Sequence, residues 1–409
     1  MVRTLTRLLK ASVILRLALS VLECAASVRT GLDNVGAHKR LFMGKRVGII
    51  TNHTAYTGDN RYIVDVFKDM PGVTVTALFS PEHGLHGTKQ AGIAIDGKTD
   101  PTYRLPIYSL YGAARKPTPR MLRDVDILVF DIQDIGARFY TYIYTMSLAM
   151  EAAAECGKRF VVLDRPNPIN GLQVEGNILQ KKFASFVGLH PIAVRHGMTV
   201  GELAKMFSAE GWLAGGIRVD LVVIEMSGWR RRMWFDQTGL RFIKPSPNIS
   251  NWETAIIYPG LCLLEGTNVS EARGTELPFR QFGAPWIDAQ SLAARLNELT
   301  LPGLEFAPAS FTPKSSKYAG QECHGARINI TGRDAVQAYY SGIQIVSVVH
   351  QMCPDKFEWR AEHFDRLCGT SMIREAIVSR SSLAMVRESW QEQLKTFLQI
   401  RRKYLIYPE

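Results

Sequence analysis

Cysteine is sparse. The six in 409 residues, at positions 24, 156, 262, 323, 353 and 368, include no CxxC pair and no regular spacing. That argues against a disulfide framework or a cysteine-ligated zinc site as the organising principle. Cys156 and Cys262 lie in apolar surroundings and read as buried thiols, while a Cys323–Cys353 or Cys353–Cys368 bridge stays open. Long apolar runs are missing too. Beyond the N-terminus no segment reaches the roughly 18 residues needed to cross a bilayer, so a soluble body without stable membrane insertion is expected. The turn "TNHTAYTGDN" has no GxGxxG, and GxxxxGK[ST], GxSxG and HExxH do not occur. Nicotinamide, flavin, ATP and serine-nucleophile chemistry are therefore disfavoured, and no cofactor is expected.

Acidic residues are fewer than basic ones, giving a net charge of +11. Much of the excess sits near the N-terminus, where Arg3, Arg7, Lys10, Arg16, Arg29, Lys39 and Arg40 face only Glu23 and Asp33. The one dense basic run, "GWRRRMW" at 228–234, reads as a solvated loop. No helix-turn-helix, zinc-finger or RNP pattern accompanies the charge, which argues against nucleic acid. The start, "MVRTLTRLLKASVILRLALSVLECAAS", has the basic, apolar and small-residue order of a secretory signal over residues 1–28. Arg16 interrupts its apolar stretch and Glu23 spoils "VLEC" as a lipoprotein signal. Export to the periplasm or beyond is the expectation, and an amphipathic helix is the alternative.

From residue 46 a regular pattern appears. "RVGIIT", "VTVTALFS", "LPIYSLY", "DILVFDI" and "RFVVLD" are short apolar runs of the kind strands buried on both faces require. Between them lie the helical stretches "YIVDVFKDM", "TPRMLRDV" and "YTYIYTMSLAMEAAAECG". The alternation predicts an α/β fold with a parallel sheet covered on both faces. "TVGELAKMF" carries a capping box, Thr199 with Glu202, and "RVDLVVIEM" is expected to return to the same sheet. This domain is assigned to residues 31–245. A smaller α+β auxiliary domain is assigned to 246–409, and its C-terminal stretch "SLAMVRESWQEQLKTFLQIRRKYLIY" reads as a packing helix.

Each strand is clean until its carboxyl end. There the chain places Asn52 and His53, then Glu82 and His83, then Asp131 and Asp134, then Asp164, Arg165 and Asn167. Open parallel sheets bind ligands outside those ends, so the four ends are expected to form one site. Any one cluster alone is as readily a helix cap. The loops "KPSPNIS" and "YPGLCLLEGTNVSEARGTELPF" supply Asn248, Glu265, Asn268, Glu271 and Arg273, and read as the facing wall of a cleft.

Glu82, His83, His86, Asp131 and Asp134 include metal-ligating types, but the glycines of "EHGLHG" work against a rigid helical presentation, and no metal is expected. Paired carboxylates suit the set better. Glycoside hydrolysis needs one protonated carboxyl to assist the leaving oxygen and a second group to stabilise or attack the sugar cation. Glu82 is the candidate acid, and Asp131, Asp134, Glu265 or Glu271 the candidate partner. Arg138 and Arg273 are candidate carboxylate clamps. Tyr140, Tyr142, Trp252 and Tyr258 are candidate stacking platforms.

In order, "NHT", "ALFSPEHGLHGT", "LPIYSLYG", "KPTPRMLRDVDILVFDIQDIGARFYTYI", "VVLDRPNPI", "RHGMTVGELA", "PSPNI", "YPGLCLLEGTNVSEARGTELPF" and "SKYAGQECHG" closely resemble the NamZ family of exo-β-N-acetylmuramidases. The resemblance runs from about residue 31 to 409. It implies a Rossmann-like N-terminal domain without a nucleotide, an auxiliary C-terminal domain and a cleft between them. It further implies removal of N-acetylmuramic acid from the non-reducing end of peptidoglycan fragments, with the glutamate of "SPEHG", Glu82, as acid/base. Retaining, inverting and substrate-assisted routes all stay open on this reading.

Overall fold

The structure is a computed structural model that describes residues 27–87, 98–112 and 114–409. The expected signal segment, with Arg16 and Cys24, lies almost wholly outside those residues. The main sheet has seven strands: β1 (Arg46–Thr51), β2 (Thr74–Ser80), β3 (Lys98–Thr99), β4 (Pro106–Ser109), β5 (Ile127–Asp131), β6 (Arg159–Leu163) and β7 (Asp220–Ile224). Their order is β3-β4-β2-β1-β5-β6-β7, parallel except for the short edge strand β3. Five residues of β1 and all five of β5 are buried, as their continuous apolar runs require. Alternate residues feed two cores. Val47, Ile49, Ile127 and Val129 face the side covered by α1 (Gly31–Asn34) and α2 (Ile63–Lys68). Ile50, Leu128 and Phe130 face α3 (Tyr142–Glu155) and α4 (Val200–Ala209).

The capping box on α4 forms as expected, Thr199 Oγ1 accepting from Glu202 N at 3.3 Å and Glu202 Oε2 from Thr199 N at 3.0 Å. "TPRMLRDV" does not become a helix. It is a hydrogen-bonded turn in which Thr118 O accepts from Met121 N and Leu122 N, and the chain then leads straight towards β5. The "GWRRRMW" run is also not a solvated loop throughout. Trp229, Arg231 and Trp234 are buried, and Arg231 pairs with the buried Glu202, while Arg230 and Arg232 face solvent.

The second region begins with α5 (Trp252–Leu261). A three-stranded antiparallel sheet follows, β8 (Gln281–Ala284), β9 (Leu304–Phe311) and β10 (Cys323–Ile330), in the order β8-β10-β9. With it pack α6 (Ala289–Glu298), α7 (Ala338–Met352), α8 (Ala361–Cys368) and α9 (Met372–Val378). The C-terminal packing stretch is two helices, α10 (Leu383–Ser389) and α11 (Gln391–Arg402), meeting at Trp390. Its tail returns to the first region: Tyr407 Oη donates to Asp164 at 2.6 Å and Arg401 donates to the carbonyls of Gly171, His196 and Gly197. One continuous apolar core joins both regions, which makes the groove between them a formed feature. All five described cysteines are free thiols, so neither proposed bridge forms. No helix among the described residues is long and apolar enough to cross a membrane.

Candidate active site

A cleft of about 350 Å³ lies between the end of β2, the start of α3, the segments 185–187 and 246–248, and the wall made by α5, residues 262–279 and α8. Strand β2 ends at the buried Ser80, and the chain turns immediately, with Gly84 N donating to Pro81 O and Gly87 N to Gly84 O. His83 and Gly84 take left-handed backbone conformations (φ 70° and 76°) that reverse the chain and leave Glu82 facing the cleft. His53 braces this turn. A Cβ on Gly87 would lie 1.9 Å from the His53 ring, so the close approach needs glycine. Burial lowers the His53 pKa, and the neutral ring donates from Nε2 to Lys244 O at 2.7 Å.

Glu82 is half-buried, and its Oε2 accepts from Thr141 Oγ1, just before α3, at 2.8 Å. One carboxyl oxygen is thereby fixed and the other is left to the cleft. Tyr142 lines the floor and donates from its hydroxyl to Pro245 O at 2.6 Å, tying α3 to the segment that presents Ser246 and Asn248. Tyr140, Tyr258, Phe139 and Phe279 complete the floor in edge-to-face contacts, Tyr140 to Tyr142 at 4.9 Å and Tyr258 to Phe279 at 4.8 Å between ring centres.

The opposite wall carries Glu265, on the turn after α5. Arg273 Nη2 lies 2.6 Å from its Oε1, and His363 Nε2 3.8 Å from its Oε2. Burial would raise this carboxyl, but Arg273 and His363 outweigh it and hold its pKa at about 2. Glu265 is therefore an anion at neutral pH. Arg273 is fixed from behind by Glu271, whose Oε1 lies 3.2 Å from Arg273 Nε and whose Oε2 accepts from Lys317 Nζ at 3.0 Å. Flanked by two carboxylates, Arg273 positions Glu265; it is not an open carboxylate clamp.

The four loaded strand ends do not make one site. Of the predicted residues, Glu82, His83, Tyr140, Tyr142, Asn248, Tyr258, Glu265 and Arg273 line the cleft. The others serve the scaffold. Asp131 is fully buried and forms a bidentate pair with Arg165, whose Nη2 also donates to Tyr56 O at 3.1 Å. Asp134 accepts from Gly136 N at 2.7 Å, and burial raises its pKa to about 7. Asp164 accepts from Thr199, Gly201 and Tyr407, fastening α4 and the C-terminal tail. Asn52 holds Thr54, and Asn167 bridges Ile169 N and Met198 O. Arg138 is wholly buried and donates to the carbonyls of Asn177, Ile192, Leu367 and Cys368, so it clamps the two regions of the chain together and not a substrate. Asn268 closes a loop onto Lys356 O and Glu358 N. Trp252 packs beside Arg333, outside the cleft. No three His, Cys, Asp or Glu side chains converge as a metal site among the described residues.

Sequence reasoning missed Tyr111, Arg115, Thr141, Phe186, His363 and Arg366, all of which line the cleft. Only Tyr111 sits at a strand end, two residues beyond β4. Arg115 follows β4 by six residues, and His363 and Arg366 occupy α8, an element the sequence reading did not single out.

Comparison with known proteins now bears on this cleft. The model for exo-β-N-acetylmuramidase NamZ, N-terminal, matches residues 47–253, and its C-terminal counterpart matches residues 256–407. The chain belongs to the NamZ family. It is 47% identical over 382 residues to the peptidoglycan β-N-acetylmuramidase NamZ of Bacillus subtilis (strain 168), covering 93% of this chain and 91% of the relative. Two crystal structures of DUF1343 family proteins from Bacteroides fragilis share the fold. One has a TM-score of 0.87 at 38% identity, covering 93% of this chain and 99% of the other. The second has a TM-score of 0.76 at 31% identity, covering 94% and 100%. The cleft runs across the junction of the two family models, with Glu82 from one and Glu265 from the other.

Proposed function

We propose that this chain is a glycoside hydrolase that releases N-acetylmuramic acid from the non-reducing end of peptidoglycan fragments, in cell-wall turnover. Family membership and the B. subtilis relative support the activity. The observation that carries the mechanism is a cleft with two carboxylates in different settings. Glu82 is anchored through one oxygen by Thr141, and Glu265 is held ionised by Arg273.

In this reading Glu82 delivers a proton to the leaving glycosidic oxygen and later takes one from water. Glu265 presents negative charge to the cation developing at the anomeric carbon. The aromatic floor of Tyr140, Tyr142 and Tyr258 excludes water and packs against the sugar. Glu82→Gln keeps the Thr141 contact but carries no transferable proton. It is expected to remain folded and to lower release of N-acetylmuramic acid from a chromogenic muramide by about 10³-fold. A folded variant with near-normal turnover sinks the assignment, and a wild-type protein that binds the muramide without hydrolysing it reveals a binding protein instead.

Export to the periplasm or the medium is part of the same proposal and rests on the sequence of residues 1–28. Fractionation of cells expressing the full chain tests it, and a purely cytoplasmic full-length product refutes it.

A further inference from the structure

Three arginines line the cleft, and they are not equivalent. Arg273 is neutralised by Glu265 and Glu271. Arg366 lies 2.8 Å from Glu362, one turn back on α8, in a pair whose carboxylate is 88% exposed. Such a pair contributes little and exchanges readily with water, yet it still occupies the guanidinium.

Arg115 differs from both. Among the described residues it has no ion pair or hydrogen bond, and its guanidinium lies over the ring of Phe186, 4.6 Å from the centre. Phe186 in turn packs against Tyr111, with ring centres 6.0 Å apart, and all three side chains line the cleft. Contact with an aromatic face orients the planar guanidinium while its N–H edge stays available, which is the geometry a carboxylate accepts bidentately. The cleft's own two carboxylates, Glu82 and Glu265, already have partners in Thr141 and Arg273.

We propose that Arg115 is the specificity-determining residue that reads the lactyl carboxylate of the muramic acid unit bound in the cleft. This rests on the muramidase reading above. The N-acetylglucosamine units of the same polymer share the acetamide and the ring but lack that carboxylate. A group that reads the acetamide therefore cannot tell the two sugars apart, and an unpaired arginine can.

The test uses the full-length protein, a chromogenic N-acetylmuramide and its methyl ester, with wild type, Arg115→Gln and Arg366→Gln side by side. Esterification is expected to lower wild-type kcat/KM by about ten- to a hundredfold, as loss of a charged hydrogen bond does. Arg115→Gln is expected to lose a similar factor on the acid, mainly through KM, with no further loss on the ester. Arg366→Gln is expected to keep the wild-type ratio between acid and ester. A wild-type ratio in Arg115→Gln overturns the proposal, as does a ratio abolished by Arg366→Gln. If the wild type hydrolyses neither compound, the muramidase reading fails, and calorimetric binding of free N-acetylmuramic acid then decides the role of Arg115. Affinity lost in Arg115→Gln supports it; unchanged affinity, or no binding by wild type, overturns it.

Discussion

The carboxyl ends of β1, β5 and β6 and the cleft beyond β2 are built from the same kinds of side chain, yet they do different work. At the end of β1 Asn52 holds Thr54, and at the ends of β5 and β6 Asp131, Asp134 and Asp164 are buried against Arg165, the Gly136 amide, and the group of Thr199, Gly201 and Tyr407. In the cleft, Glu82 keeps an oxygen for other chemistry, and Glu265 is ionised by an arginine that is itself held from behind. The difference comes from what lies opposite. The ends of β1, β5 and β6 face one another and the loops that cap them, so most polar groups there pair with one another, while Asn52 Nδ2, His53 Nδ1 and Asp134 Oδ1 stay buried without a hydrogen-bond partner among the described residues. The end of β2 faces the second region across a gap, and groups there need not pair.

The largest effect expected from this contrast is the roughly 10³-fold loss of turnover in Glu82→Gln, with the thermal midpoint nearly unchanged. The strand ends should behave in the opposite way. Asp131→Asn leaves the buried Arg165 without its counter-charge and is expected to cost about 3–5 kcal/mol of stability, while kcat per folded molecule changes little. Arg138→Met belongs with it. Four carbonyls lose their donor where the two regions meet, a loss on the order of 3 kcal/mol or more. Denaturant titration beside active-site-normalised turnover checks both, and a large kcat defect in folded Asp131→Asn would return that residue to the chemistry.

The smallest effect is in pH dependence. Burial raises the Asp134 pKa from 3.8 to about 7, so its contribution to stability is complete below about pH 4 and is lost as pH rises through 7. Glu265 is shifted the other way, from 4.5 to about 2, so its contribution is present above about pH 4.5 and lost as pH falls towards 2. Asp134→Asn should therefore match wild type near about pH 4, gain on it as pH rises, and exceed it by a few degrees in thermal midpoint near about pH 8. An unchanged pH profile contradicts the burial argument.

The sheet was legible because it rests on local pattern. "RVGIIT" and "DILVFD" are apolar on both sides and cannot be stable anywhere but between two helical layers. The capping box at Thr199 was legible for the same reason. "TPRMLRDV" misled because its cap and proline suit a helix, whereas the structure closes only a turn there, with Thr118 O accepting from Met121 N and Leu122 N. Glu82 was legible from the abrupt change after Ser80, while Arg138, a charged residue amid apolar ones, invited a role in binding. A sequence shows that Arg138 must find partners; it does not show that four backbone carbonyls are those partners.

The sequence by itself determined the parallel sheet, the break at its carboxyl ends, the membership of residues 47–407 in one family and the identity of Glu82 as the residue to test. Which charges are free was decided only by tertiary structure. Asp131 and Glu265 are both acids beside an arginine, and only the packing of the second region makes one a buried tie and the other a cleft anion. Arg115 has no strand-end position to mark it, and its importance arises because Phe186, 71 residues away in the chain, lies under its guanidinium. Side-chain type and spacing are local properties. Burial and pairing depend on what the rest of the chain brings near.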